Sequence, residues 1–276
     1  MLYKNINKNI NKNIYDVVII GGGLSGLTLA RQLLLSNDKI KILILERRKN
    51  PAPEAAFKVG ESTVEIGAYY LSEILQLKNY LKARHLPKAG LRFFFSNKDN
   101  LDISQRTEFG AIDFPPVSSY QLDRGRFEND LREMVVSSGA DFLDSASVKK
   151  INLDINKNNN TNNILHSIDY VIQDINQDKY NNIKTKWVVD ASGRSSLLKR
   201  KLCLQKEVDH NINASWFRVN KEIDVSKWKA KKVNNQNQDQ NYKKWKDRIP
   251  DHIRHLSTCH LMGKGYWVWI IPLASK

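Results

Sequence analysis

The order of apolar and polar positions predicts alternating strands and helices at the start of the chain. Residues 16–20 form a short apolar run, rich in β-branched side chains and bounded by glycine, which is typical of a buried parallel strand. Leu24 to Leu35 have the spacing of a helix, and Ile40 to Leu45 form a second apolar run. A strand, a helix and a strand within about 30 residues predict a βαβ unit.

The later pattern predicts further helices and a sheet meander. Apolar residues recur at helical spacing from Val64 to Arg84 and from Phe127 to Ser138, whereas Gly90 to Phe95 is an extended, aromatic-rich run. Two or three further strands are predicted as a meander, around residues 147–153, 164–172 and 183–189. From Lys199 the chain is expected to be irregular and basic, up to a strand-like run from Gly265 to Leu273.

Length and composition indicate a globular protein of a reducing compartment. The chain has 276 residues, of which 41% are hydrophobic, so it can bury a core. Cys203 and Cys259 are its two cysteines and do not form a Cys-x-x-Cys pair, which favours a cytoplasmic location. The longest apolar run, Val17 to Ala30, is broken by four glycines and is shorter than the roughly 20 residues of a spanning helix, so stable membrane insertion is not expected.

The charge of the chain is strongly positive, with 44 Lys and Arg against 29 Asp and Glu, a net charge of +15. Its lysines concentrate in the first 14 residues and between Lys221 and Lys246, among Asn and Gln rather than on an arginine-rich or aromatic face. We therefore expect a solvated surface and no nucleic-acid partner. Asparagine tracts at residues 5–13, 158–163 and 234–241 are typical of low-complexity tails and loop insertions.

A glycine-rich turn follows the first predicted strand. Gly21, Gly23 and Gly26 fit the pattern G-x-G-x-x-G between a strand and a helix, and Glu46 lies 20 residues after Gly26 at the end of the next strand. The first glycine permits the tight turn, the second lets a pyrophosphate approach the backbone, and the third lets the helix pack on the strand. Glu46 would accept hydrogen bonds from the ribose hydroxyls. These residues predict a dinucleotide site, for NAD or FAD.

Two further segments favour FAD. The strand-like run Trp187 to Asp190 ends in Ala-Ser-Gly-Arg, which can bring Asp190 to the nucleotide, and a late strand of this kind resembles the two-domain flavoprotein hydroxylases. Leu-Asp-Arg-Gly-Arg-Phe at residues 122–127 shares the resemblance, which implies that Arg124 contacts the flavin cofactor.

Two motifs resemble those of the flavin-dependent halogenases. Val-Gly-Glu-Ser-Thr at residues 59–63 is similar to their flavin loop, which implies that Gly60, Glu61 and Ser62 line the flavin. Trp267 and Trp269 stand in Trp-Val-Trp-Ile-Ile-Pro, which matches the W-x-W-x-I-P signature at every fixed position. On a strand the two tryptophans share one face. The resemblance implies that they form a wall that keeps the organic substrate away from the flavin.

Lys88 is the candidate catalytic residue. It stands in Lys-Ala-Gly-Leu-Arg-Phe, a K-x-G-x-x-F pattern that resembles the active-site lysine segment of the tryptophan and phenol halogenases, with the phenol branch the closer. An ammonium could polarise a hypohalous acid, and a desolvated amine could carry the halogen covalently. Both roles stay open.

The predicted fold class is α/β, with a Rossmann-type FAD-binding domain of the flavoprotein hydroxylase, glutathione-reductase-like class and an interleaved mixed α+β substrate domain. After a tail at residues 1–14, the FAD-binding domain is expected at 15–90 and 120–200, with an asparagine-rich loop near 156–163. A partial substrate domain is expected at 91–119 and 201–276. Relatives continue past the W-x-W-x-I-P strand, so the chain is expected to lack the carboxyl-terminal part of the family.

The resemblance implies halogenation of an electron-rich aromatic small molecule, phenolic by the lysine motif, with reduced FAD from a separate flavin reductase, O2 and halide. A FAD-dependent monooxygenase, a geranylgeranyl-reductase-like oxidoreductase and an inactive truncated remnant remain as alternatives. No metal is expected, since His252, His255, Cys259 and His260 match no usual zinc spacing.

Overall fold

The computed structural model describes residues 14–53, 60–97, 100–154, 165–173, 178–228 and 236–274. Two compact units are formed by discontinuous parts of the chain. The first unit contains residues 1–56 and 125–215, and the second unit contains residues 57–124 and 216–276.

Twelve strands and seven α-helices are assigned in the described part of the chain. The strands are β1 Ile14–Ile20, β2 Ile42–Leu45, β3 Leu86–Lys88, β4 Leu91–Phe95, β5 Thr107–Gly110, β6 Ser119–Gln121, β7 Asp141–Leu143, β8 Ala146–Asn152, β9 His166–Ile172, β10 Lys179–Asp190, β11 Thr258–Gly263 and β12 Tyr266–Ile270. The helices are α1 Leu24–Ser36, α2 Glu65–Tyr69, α3 Lys78–Arg84, α4 Arg124–Ser137, α5 Leu197–Lys201, α6 Gln236–Asp247 and α7 Asp251–Leu256.

The first unit is built on a six-stranded sheet in the order β7-β2-β1-β10-β9-β8. β7, β2, β1 and β10 are parallel neighbours, while β10, β9 and β8 form an antiparallel meander. β1 and β2 are almost wholly buried, as their continuous apolar runs predict. The predicted βαβ unit and the predicted meander are both confirmed.

The second unit contains a four-stranded sheet in the order β12-β11-β4-β5 and a two-stranded sheet of β3 and β6. β11 runs parallel to β4, and the other neighbours are antiparallel. One face of the four-stranded sheet contributes Phe94 of β4 and Cys259 of β11 to a buried cluster. The other members are Ile103 of the turn at 103–105, Val225 of the turn at 225–227 and Trp245 of α6.

The region from Val64 to Arg84 is not one helix. α2 continues into a π-helical turn at Tyr70–Ile74, and the chain then bends before α3. Leu75 and Leu77 are both buried, although residues two apart lie on different faces of a helix, and Gln76 between them has a left-handed φ of 55°. Burying both leucines therefore requires the helix to end.

The expectation of irregular chain after Lys199 is wrong for α6 and α7. The first of these helices takes in most of the asparagine tract at 234–241, which was predicted as a loop insertion. Its polar sequence carries little apolar signal. Of the helix side chains that the structure describes, Tyr242 and Trp245, three residues apart, pack against the core.

The predicted domains and the two compact units have different bounds, since residues 60–90 belong to the second unit. The domains were predicted from cofactor roles, so that division stays a prediction. The amino-terminal tail before Ile14 and the loop near 156–163 lie outside the described residues. Among the described helices, none combines the length and the apolar character needed to cross a membrane.

Candidate functional site

The glycine-rich turn joins β1 to α1 in the first unit. Gly21 has a φ of 112°, and a Cβ there would collide with the carbonyl of Ala191. A Cβ on Gly26 would collide with the Gly21 carbonyl and lie 3.1 Å from Cγ2 of Ile19. Both positions therefore require glycine for backbone packing alone.

Gly23 is different, because packing does not require a glycine there. Its φ is −88°, and a Cβ would meet only Oε2 of Glu128, at 4.0 Å. Gly23 caps the amino terminus of α1, a 13-residue helix with no acidic residue in its first turn. An open approach to a helix amino terminus fits the pyrophosphate of a dinucleotide.

Glu46 lies at the end of β2 beside this turn and is buried. Its Oε2 accepts a hydrogen bond from the amide of Gly22 at 2.8 Å, and its Oε1 accepts from the amide of Arg48 at 2.9 Å. The carboxylate is thus held at the carboxyl end of the parallel strands, which is where dinucleotides bind in sheets of this kind.

Asp190 ends β10, next to β1, and holds the turn that follows it. Its carboxylate accepts hydrogen bonds from the amide of Ser192 at 3.0 Å and from the amide of Leu198 at 2.7 Å. Burial alone would raise the pKa of Asp190, but the hydrogen bonds from Ser192 and the following backbone lower it. Asp190 is therefore held as an anion beside the glycine turn.

The predicted flavin loop of the second unit runs antiparallel to β6. Thr63 donates its amide to the carbonyl of Tyr120 at 3.0 Å, and Leu122 donates its amide to the carbonyl of Glu61 at 2.5 Å. Gly60 has a φ of 94°, and a Cβ there would lie 3.2 Å from Nη1 of Arg124. Glycine at this position lets the loop pass close to the guanidinium.

Glu61 carries the most perturbed carboxyl group of the described acidic residues. Burial raises its pKa to about 7, and Asp123 adds to the rise, while the cations Arg218 and Arg124 oppose it. Its Oε1 is buried and has no hydrogen-bond partner within the described part of the chain. Glu61 therefore sits between its acid and base forms near neutral pH.

Ser62 is fixed by a buried polar cluster that the sequence analysis did not anticipate. Its Oγ lies 2.7 Å from Oγ1 of Thr258, which also accepts a hydrogen bond from Nε2 of Gln121 at 2.9 Å. Thr258 begins β11 and Gln121 ends β6, so one cluster ties the loop to both strands. Ser62 and Thr258 are 196 residues apart in sequence, and no motif links them.

Arg124 begins α4 and is half-buried. Burial lowers the pKa of its guanidinium, and the charge of Glu61 partly restores it. The loop and the start of α4 therefore place the Arg124 cation beside the Glu61 carboxyl group.

Lys88 ends β3 and is 2% exposed. Its Nζ donates a hydrogen bond of 2.6 Å to the carbonyl of Thr63, which directly follows the Gly-Glu-Ser loop. Burial lowers the pKa of Lys88, and Glu65 opposes the shift. The predicted lysine and the predicted flavin loop are thus neighbours in the second unit.

The two tryptophans lie side by side on β12, with ring centroids 5.8 Å apart. Trp267 is 40% exposed and Trp269 is 48% exposed, so the pair forms an open aromatic surface rather than part of the core. On the adjacent strand β11, His260 meets the ring of Trp269 edge to face, with centroids 6.0 Å apart.

The four residues weighed as a metal cluster are not gathered into one. Of the described residues, the group of three that is close enough to hold a metal ion is Glu222, Asp224 and His255. The ammonium of Lys227 lies 3.1 Å from Glu222 and 3.4 Å from Asp224, so both carboxylates already have a cation.

Each unit thus brings together a part of the predicted residue set. The first unit gathers Gly21, Gly23, Gly26, Glu46 and Asp190 at the carboxyl edge of its parallel strands. The second unit gathers Gly60, Glu61, Ser62 and Arg124 with Lys88, and presents Trp267 and Trp269 on its sheet.

A Rossmann-type sheet with this glycine turn and a late strand ending in Asp190 defines a FAD-binding flavoprotein, and the chain belongs to the FAD-binding domain family, whose sequence model matches residues 14–249. Over 283 residues it is 31% identical to a flavin-dependent halogenase, chlA, of Dictyostelium discoideum, covering 94% of this chain and 43% of that protein. It is also 28% identical to a 1H-pyrrole-2-carbonyl peptidyl-carrier protein chlorinase of Pseudomonas fluorescens, covering 94% of this chain and 53% of the other.

A solved structure of the halogenase PltM with phloroglucinol and FAD shares the fold, with a TM-score of 0.57 and 16% identity over 94% of this chain and 48% of that one. These findings confirm the predicted fold class, the resemblance to flavin-dependent halogenases and FAD as the cofactor. The chain spans about half the length of the curated relatives it matches.

Proposed function

We propose that the protein takes part in the halogenation of an electron-rich, phenolic small molecule, with reduced FAD from a separate flavin reductase, O2 and halide. The names of the two curated relatives, a halogenase and a chlorinase, support the reaction class. The K-x-G-x-x-F form of the lysine motif supports a phenolic substrate.

The observation that carries the proposal is the environment of Lys88. A buried ammonium with a lowered pKa is rare in a stable fold, because burial costs free energy that a structural lysine can avoid by reaching solvent. Lys88 is instead anchored to Thr63, at the end of the loop that is assigned to the flavin. This environment supports a role for Lys88, as a cation or as a neutral amine, in receiving the halogenating species.

FAD would be held in the first unit by the open amino terminus of α1 at Gly23 and by Glu46, with Asp190 ordering the adjoining turn. Gly60, Glu61, Ser62 and Arg124 of the second unit would contribute the contacts to the flavin. When bound, reduced FAD would supply two of the four electrons that reduce O2, and the halide would supply the other two as it is oxidised to hypohalous acid. Lys88 then holds that acid by hydrogen bonding, or its neutral amine exchanges a hydrogen for the halogen and releases water.

Trp267 and Trp269 would separate the aromatic substrate from the cofactor. Their rings are adjacent and exposed on one sheet face, as a partition between two ligands requires. In this role they sterically keep the organic molecule away from the flavin, while the smaller halogenating species can pass to the substrate.

The first test is retention of FAD by the purified 276-residue chain. We expect shifted flavin absorption bands that stay with the protein on gel filtration. A folded chain that does not retain FAD would contradict the assignment of a complete flavin site to this polypeptide.

The second test compares Lys88→Ala with Lys82→Ala, which removes an exposed lysine of α3. With reduced FAD, chloride and a phenol, we expect Lys88→Ala to retain FAD and lose chlorinated product, and Lys82→Ala to behave as the parent. Product formation that needs no halide would favour a monooxygenase, and parental halogenation by Lys88→Ala would refute the role of the lysine. A chlorine-for-hydrogen mass increase at Lys88 would select the covalent route.

A further inference from the structure

A row of aromatic rings crosses three strands of the second unit. Phe93 pairs with His260 between β4 and β11, and His260 pairs with Trp269 between β11 and β12. The rings of Phe93 and His260 are stacked, with centroids 4.6 Å apart and an interplanar angle of 23°. His260 therefore connects the phenylalanine of the lysine motif with the second tryptophan of W-x-W-x-I-P.

The hydrogen bonding of His260 fixes which nitrogen carries the hydrogen. Nδ1 lies 3.1 Å from the backbone carbonyl of Thr258, and a carbonyl oxygen can only accept. In the neutral imidazole Nδ1 is therefore the donor, and Nε2 keeps a lone pair. The ring is half-buried in an otherwise apolar row, so Nε2 is a hydrogen-bond acceptor among aromatic rings.

Burial and the charge of Lys88 favour the neutral form of this imidazole. Both lower the pKa of His260, against the backbone carbonyls of Arg92 and Thr258, which raise it. A neutral imidazole can accept a hydrogen bond at its unprotonated nitrogen, whereas an imidazolium cannot.

The geometry points to His260 as the group that recognises the hydroxyl of a hydroxyaromatic ligand lying on this aromatic row. The ring of the ligand packs against the aromatic side chains, and its O–H donates a hydrogen bond to Nε2 of His260. A ligand held in this way presents its ring for the halogenation proposed above.

This inference rests on the proposed function for the source of halogen, but the hydroxyl recognition is testable without FAD. The probes are 4-methylphenol and 4-methylanisole, which share a ring and differ in the hydroxyl donor. We expect the parent protein to bind the phenol about 10-fold more tightly than the anisole by calorimetry, the size expected for one hydrogen bond to a half-buried acceptor. In histidine-labelled protein, the phenol but not the anisole should shift the ¹⁵N resonance of Nε2.

Three variants separate the acceptor from the ring. His260→Phe keeps an aromatic side chain and removes the acceptor, so both probes should bind within about twofold of each other. His260→Gln restores an acceptor and should restore part of the preference. His252→Phe is the matched control, since His252 stacks on Phe114 outside this row, with centroids 6.0 Å apart.

Equal binding of the two probes by the parent protein would overturn the inference, and so would a preference that survives in His260→Phe. If the variants fold poorly, an Nε2 resonance that does not shift when the phenol is added to the parent protein would also overturn the inference. Failure of FAD retention or of halide dependence, with the phenol preference intact, would instead refute the proposed function and leave the ligand recognition by His260 standing.

Discussion

Replacing Glu61 by glutamine removes a carboxyl group whose pKa is raised to about 7, chiefly by burial. In the unfolded chain a glutamate titrates near its ordinary value of 4.5. Between these two values the folded state holds the proton and the unfolded state has released it. The contribution of Glu61 to stability is therefore greatest at low pH, falls as the pH rises from about 4.5 to about 7, and is constant above that.

The size of the effect follows from the shift. A difference of about 2.5 pKa units corresponds to at most about 3 kcal/mol. Glu61 is only half-buried, so screening by solvent reduces the effect. We expect the parent protein to lose about 1–2 kcal/mol more than Glu61→Gln between about pH 5 and about pH 8.

The assay is urea unfolding of the FAD-free protein at the two pH values, with Glu133→Gln as the control. The side chain of Glu133 is 73% exposed, so that variant should follow the parent. A ¹³C titration of the Glu61 carboxyl checks the pKa directly. Equal pH dependence in the parent and in Glu61→Gln, or a carboxyl that titrates near 4.5, would show that the loop is solvated and would refute the reasoning.

Two further predictions concern packing. Glu108→Gln leaves the buried guanidiniums of Arg92 and Arg254 without a carboxylate. We expect urea unfolding to show that the free energy of unfolding falls by about 3–5 kcal/mol. Arg248→Ala removes an exposed partner of the same carboxylate and should lower it by less than about 1 kcal/mol. Gly23→Ala should fold with parental stability and bind FAD at least about 10-fold more weakly. In the absence of FAD, the free energy of unfolding of Gly26→Ala should be about 1–3 kcal/mol lower than that of the parent. Parental FAD binding by Gly23→Ala, or parental stability of Glu108→Gln, would contradict these expectations.

At the Glu108 carboxyl group, burial is opposed by three arginines. Burial alone would raise the pKa of Glu108, but the hydrogen bonds and charges of Arg254, Arg92 and Arg248 outweigh burial and lower it. The guanidinium of Arg254 also lies over the ring of Trp245, 4.0 Å from its centroid. The Glu108 carboxylate of β5 thus binds Arg92 of β4 and Arg254 of α7, and Arg254 in turn packs on Trp245 of α6.

Local sequence determined the elements that place the cofactor. A β-branched apolar run, a glycine turn and a helix are adjacent in the chain, so the βαβ unit and its glycines could be predicted from short-range rules alone. The meander and the last strand were predictable for a similar reason, since each is a strand-like run read over a few residues. Resemblance to a family then added Lys88, Glu61 and the two tryptophans as candidates.

Tertiary structure decided the properties that depend on distant contacts. The break between α2 and α3 comes from burying Leu75 and Leu77 together. α6 is stabilised by the packing of Tyr242 and Trp245 against the core of the second unit. No local pattern contains such information, because helix propensity is weak compared with packing.

The chemistry of the candidate site was decided in the same way. The acidity of Glu61 and the burial of Lys88 depend on groups brought near by the folded chain. Ionisation responds to burial and to charges within a few ångströms, and the sequence does not record that Arg218 comes close to Glu61. The sequence by itself determined which residues could act, and the tertiary structure decided their charge state and their partners.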